Sequence, residues 1–137
     1  MPISKHISTR LTSIVLAGVL SVAMTAAAVA QSAKVSFLHI NDVYEFAAKR
    51  GVGGMAELQT LLKAERAKGH TTITTLGGDL ISPSVMSGLT KGTQMISMMN
   101  AIGVDLAGLG NHEFDFGDDV LKMRLAESKF KWLATNT

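Results

Sequence analysis

The chain has 137 residues, with 13 Lys and Arg against 11 Asp and Glu, a formal net charge of +2, and no cysteine. The missing thiols exclude disulfides and thiolate metal sites, which leaves any metal to oxygen and imidazole ligands. No Lys/Arg cluster is interleaved with aromatic residues, so the sequence lacks the electrostatic footprint of a nucleic-acid-polymer partner.

Residues 1–30 have the three parts of a secretory leader in order. Lys5, His6 and Arg10 form a basic start, Leu11 to Met24 an apolar run, and Ala28-Val29-Ala30 an A-x-A site that puts cleavage before Gln31. The apolar run is shorter than the roughly 20 residues that span a bilayer, so the segment is expected to be removed rather than kept as a stable membrane anchor. The product is then secreted or periplasmic. Without Lys5 and Arg10, the basic and acidic residues of the mature chain balance.

The mature region, 31–137, alternates strand-like and helix-like segments, which predicts an α/β domain with a mostly parallel sheet and helical crossovers. Val35 to Asn41 reads as the first strand. Met55, Leu58, Leu61 and Leu62 repeat at helical spacing, with Gly69 as a stop. Thr71 to Leu76, rich in Thr and Ile, is the second strand. In Gln94 to Ile102, the residues Met95, Met98, Met99 and Ile102 share one helix side, a stripe that fits core filling rather than a metal-binding methionine box. Leu106 to Leu109 is a third strand, Asp118 to Ser128 a helix with acidic residues in its first turn, and Phe130 to Thr135 a fourth strand with an exposed edge beside Trp132.

Ligands of an open parallel sheet gather outside the carboxyl ends of its strands. Those ends are unusually polar here: Asn41-Asp42-Val43-Tyr44 after the first strand, Gly77-Gly78-Asp79 after the second, and Gly110-Asn111-His112-Glu113-Phe114-Asp115 after the third. A single Asp or Asn after a strand commonly just makes a turn. Three successive strand ends, however, deliver Asp42, Asp79 and Asn111 to one edge, with His112 beside them. Asp115, three residues on, is placed to orient the imidazole. Gly51 to Ala56 also fits G-x-G-x-x-A, but Val43 to Arg50 separate it from its strand, against the geometry that a dinucleotide fingerprint needs; its glycines instead let the chain turn into the first helix. His39 is read as packed or hydrogen-bonded and His70 as a surface residue.

The segments Asn41-Asp42, Gly77-Gly78-Asp79 and Gly110 to Gly117 (GNHEFDFG) resemble the first three motifs of the calcineurin-like metallophosphoesterases. The wording FLHINDVYEF, GVGGMAEL and GGDLISPS is similar to their secreted 5'-nucleotidase and 2',3'-cyclic-nucleotide phosphodiesterase branch. The resemblance implies the N-terminal part of a four-layer α/β/β/α fold, and hydrolysis of small nucleotide phosphate esters by a hydroxide activated by two divalent ions (Mn, Zn, Mg, Ca or Co). It further implies Asp42 on the first ion, Asp79 bridging both, Asn111 on the second, and catalytic roles for His112 and Asp115. Tyr44 stands where the family's first motif has His, and a neutral phenol is a poor ligand.

The family completes its metal spheres with later His-containing motifs and adds a C-terminal substrate domain. After His39 this sequence has only His70 and His112, which reads as a partial catalytic domain, inactive by itself. The alternative reading is an exported α/β module holding at most one structural ion.

Overall fold

The computed structural model describes residues 32–135, and the leader expected over residues 1–30 lies outside them. The elements follow the expected alternation: β1 (Val35–Ile40), α1 (Met55–Arg66), β2 (Thr71–Leu76), α2 (Val85–Thr90), α3 (Thr93–Ile102), β3 (Leu106–Gly108), a 3-10 turn (Asn111–Glu113), α4 (Asp118–Glu127) and β4 (Lys131–Leu133). The four strands form one parallel sheet in the order β1-β2-β3-β4. None of the described helices is long and apolar enough to cross a membrane.

Strands in sequential order, joined by right-handed crossovers, carry their helices on one face of the sheet. The register shows that face. Ile40 pairs with Leu76, Leu76 with Ala107 and Ala107 with Trp132, a row of buried and half-buried apolar side chains. The next row, His39, Thr75, Leu106 and Lys131, points the opposite way and is more open, with His39 and Lys131 exposed. On the same open face Phe37 is 70% exposed.

The core therefore lies between the sheet and the helices. The methionine stripe of α3 supplies much of it: Met95 and Met99 are wholly buried, Ile96 and Ile102 nearly so, and Met98 packs at the margin. Each such side chain contributes about 1.5–3 kcal/mol by leaving water. Two arginines tie helices to the sheet and to one another through backbone carbonyls. Arg66, in the last turn of α1, donates to Ile102 O at 2.6 Å, to Gly103 O at 2.7 Å and to Thr74 Oγ1 at 2.8 Å. Arg124 of α4, which is buried, donates to Lys91 O at 3.0 Å and to Thr93 Oγ1.

Most expected boundaries shift by one or two residues; β4 loses three of its six, because pairing with β3 covers only Lys131 to Leu133. Helix α2 has no counterpart among the elements that the sequence pattern predicts. It is a six-residue helix containing Gly88, too short to show a period, and is set by Ser84, whose Oγ accepts from the Ser87 N–H at 3.1 Å. Leu61, expected in the apolar stripe of α1, is 70% exposed, while Met55 and Leu62 carry the buried face. His70 is not a surface residue: its side chain is 12% exposed, with Nε2 at 2.7 Å from Ser36 Oγ and near Glu65. His39 is hydrogen-bonded as expected, through Nδ1 to Thr75 Oγ1 at 2.9 Å.

Burial separates two apolar helix positions sharply enough to test. Met99→Ala should cost about 2–5 kcal/mol, whereas Leu61→Ala should change stability by no more than about 0.5 kcal/mol. Urea unfolding of both variants measures the difference, and equal losses would contradict the placement of the core.

Candidate functional site

Three loops leave the carboxyl ends of β1, β2 and β3 and are hydrogen-bonded to one another. The β1 loop is tied to the β2 loop by the Asp42 N–H, which donates to Gly78 O at 3.2 Å. Asp42 and Asp79 both hold left-handed backbone, with φ 55° and 58°. Such a conformation is uncommon outside glycine, is more accessible to Asp, and is frequent at ligand sites.

The β2 and β3 loops meet through Glu113. Its side chain is 1% exposed and accepts three backbone N–H groups: Asp79 at 2.9 Å, Leu80 at 2.7 Å and Gly110 at 2.6 Å. A buried carboxylate is tolerated only with such partners. The two loops approach so closely that a Cβ on Gly78 would collide with the Gly110 backbone, and one on Gly110 with the Asp79 side chain. Asp79 Oδ1 in turn accepts the His112 N–H at 2.9 Å. Its Oδ2 has no protein partner among the described residues.

Asn111 opens the 3-10 turn and is exposed; its side chain makes no hydrogen bond among the described residues. His112 follows it, half-buried, with Nδ1 at 2.6 Å from Asp115 Oδ2. Tyr44, from the β1 loop, stands edge-on to the His112 ring at a centroid distance of 6.4 Å. Of the expected residues, Asp79, His112 and Asp115 are thus directly linked, Tyr44 is their neighbour, and Asp42 and Asn111 are joined through backbone. Among the described residues, no group of three or more His, Cys, Asp or Glu side chains is disposed to hold an ion. By chemistry alone, the carboxylates of Asp42 and Asp79 and the amide oxygen of Asn111 are donor types that oxygen-preferring divalent ions take.

Two residues were missed from sequence. Glu113 lies inside the GNHEFDFG string, and its signal is local: a glutamate three residues after the loop glycine is at the spacing from which a side chain reaches back to a backbone N–H. Ser82, 2% exposed, donates from Oγ to Asp115 Oδ2; no spacing rule links it to Asp115.

The electrostatics follow from these contacts. The hydrogen bond from His112 to Asp115 raises the imidazole pKa above its ordinary value, and the charges of Asp115, Asp79 and Glu113 act in the same direction against a smaller desolvation effect. Asp115 is held below the ordinary carboxylate range, first by the Ser82 hydroxyl and then by His112. A raised His112 pKa means that its proton stabilises the folded state: the contribution is complete below the ordinary imidazole range and is lost as pH rises through the raised value. For Asp115 the contribution is present above the ordinary carboxylate range and is lost as pH falls through the lowered value.

No family model matches the sequence. The 5'-nucleotidase of Bos taurus is 33% identical over 117 residues, covering 75% of this chain and 20% of that protein. The 5'-nucleotidase of Vibrio vulnificus is 36% identical over 109 residues, with the same shares. Among solved structures, the NAD nucleotidase of Haemophilus influenzae matches with a TM-score of 0.68 and 29% identity over 74% of this chain and 20% of that one. A calcineurin-like phosphoesterase of Bacillus subtilis matches with a TM-score of 0.62 and 25% identity, over 72% and 36%. The chain spans about a fifth of the length of the curated relatives it matches.

Removing the Asp115 charge should expose its hold on His112. In Asp115→Asn the His112 titration, followed by its ring proton and nitrogen shifts, should move down toward the ordinary value near 6.5. An unchanged midpoint would show that Asp115 does not set the charge of this ring.

Proposed function

We propose that this chain, whose sequence and fold are those of the N-terminal region of calcineurin-like phosphoesterases of the 5'-nucleotidase type, contributes the first half of a site that hydrolyses phosphate esters of nucleotides. The observation that carries the reading is the junction of three strand-end loops in which Asp79 receives the His112 N–H and His112 is paired with Asp115. Asp42, Asp79 and Asn111 would hold two divalent ions, with Asp79 shared between them. The chemistry such ions supply when bound is polarisation of phosphoryl oxygens and acidification of water.

The chain's own residues do the rest. Asp115 takes the Nδ1–H of His112, which fixes the ring and leaves Nε2 without a protein partner among the described residues. The raised pKa keeps a larger share of the ring protonated near neutral pH, so Nε2–H can donate to a phosphoryl oxygen or to the leaving oxygen as charge grows there. Tyr44, edge-on to the same ring, restricts its tilt; it is not assigned as a ligand. The substrate is a small nucleotide met outside the cytoplasm, if the leader over residues 1–30 is cleaved as expected.

Ligand count limits what these residues achieve unaided. Two carboxylates and one amide leave each ion about two protein ligands, whereas oxygen and nitrogen sites for such ions use several more. Loosely held ions do not keep the close spacing that an in-line displacement requires.

AMP hydrolysis with added manganese should therefore be negligible for the 137-residue chain. It should be measurable for a folded fusion in which this chain replaces the matching N-terminal region of a related 5'-nucleotidase. In the fusion, Asp79→Ala should abolish turnover, and His112→Ala should lower kcat with metal content unchanged. An inactive but folded and metal-loaded fusion would contradict the assignment, and robust turnover by the chain alone would contradict the incomplete site.

A further inference from the structure

We infer that Ser82 is a positioning residue for the Asp115–His112 pair, selecting the ring nitrogen that carries the proton; the inference rests on the role proposed above for His112. Asp115 is exposed, with 40% of its side chain open to solvent, and by itself would exchange among rotamers at the entropic cost that any single pose carries. Ser82 is the opposite kind of residue. It is 2% exposed and follows Leu80 and Ile81, both wholly buried, so its Oγ is presented from a segment anchored in the core. The Leu80 N–H is held in turn by Glu113.

The proton count is restrictive. An ionised carboxylate only accepts, and a serine hydroxyl has one proton to give. Ser82 Oγ spends that proton on Asp115 Oδ2, the same oxygen that lies 2.6 Å from His112 Nδ1, while Oγ itself is 3.4 Å from Nδ1. The remaining proton along this line must come from Nδ1. The neutral ring is thereby fixed as the Nδ1–H tautomer, with its Nε2 lone pair free, and the charged ring presents Nε2–H. Loss of the hydroxyl frees Asp115 to turn toward solvent, and the neutral ring then drifts to the Nε2–H form, since the partner of one ring nitrogen decides which of them is protonated.

Ring nitrogen shifts of His112, recorded on the 137-residue chain at a pH where the ring is neutral, read the tautomer directly. The Nδ1–H form should dominate in the natural sequence and in Ser82→Thr, which keeps the hydroxyl, and should fall at least twofold in Ser82→Ala. Ser82→Cys, close in volume but with a weak donor, should show the same direction of change, and supplies the reading if the Ala variant does not fold. A tautomer fraction unchanged in whichever of these two variants folds, or a fall in Ser82→Thr equal to theirs, would overturn the inference. The readout needs no turnover, so an inactive fusion would count against the proposed hydrolysis while the Ser82 result stood or fell separately.

Discussion

The buried carboxylate of Glu113 is the constraint on which the candidate site depends. Three backbone N–H groups from two loops converge on its two oxygens. This satisfies the charge in a place where an unpartnered carboxylate would cost several kcal/mol. The same bonds fix the Asp79 backbone, which sits in left-handed conformation, and bring Gly110 against it so that the His112 N–H reaches Asp79 Oδ1. Without that clamp, the β2 and β3 loops would be left with the sheet behind them and the two bonds nearer the rim, His112 N–H to Asp79 Oδ1 and Ser82 Oγ to Asp115 Oδ2.

The sheet supplies the coarser placement. Parallel strands with helical crossovers send every strand end carrying a polar loop to one edge, and the helices on one face bury the apolar row from Ile40 to Trp132. Loop positions are thus inherited from register: Gly77 N–H donates to Ile40 O at 2.8 Å, continuing the β1–β2 ladder into the loops themselves. The core stops at Leu80 and Ile81, and the polar network begins one residue later at Ser82. That short distance between packed interior and charged pair explains how exposed groups such as Asp115 can be held in one arrangement.

Much of this was legible in the sequence because the signals are periodic or local. The Thr-rich β2 and the methionine stripe of α3 follow from side-chain periods of 2 and 3.6, and both were placed within a residue of their observed ends. The glycines before Asp79 and Asn111 marked the loops, and relatives named 5'-nucleotidase agree with the motif reading. What escaped depends on contacts between segments far apart in sequence. Ser82 and Asp115 are 33 residues apart, Glu113 and Leu80 also 33, and His70 is drawn inward by Ser36, 34 residues earlier. Leu61 shows the complementary error: a helical period says which residues share a face, yet the width of the buried face is set by what packs on it, and α1 buries only Met55 and Leu62 fully.

Asp42, Asp79 and Asn111 are proposed to form one divalent-ion locus at the strand ends. Titration of the isotopically labelled chain with manganese tests it most directly, because the paramagnetic ion broadens amide resonances near its binding site. Broadening should appear first and together around residues 41–43, 78–80 and 110–113, and should be lost from all three loops in Asp79→Ala. Broadening confined to one loop, centred elsewhere, or indifferent to Asp79→Ala would contradict a shared site.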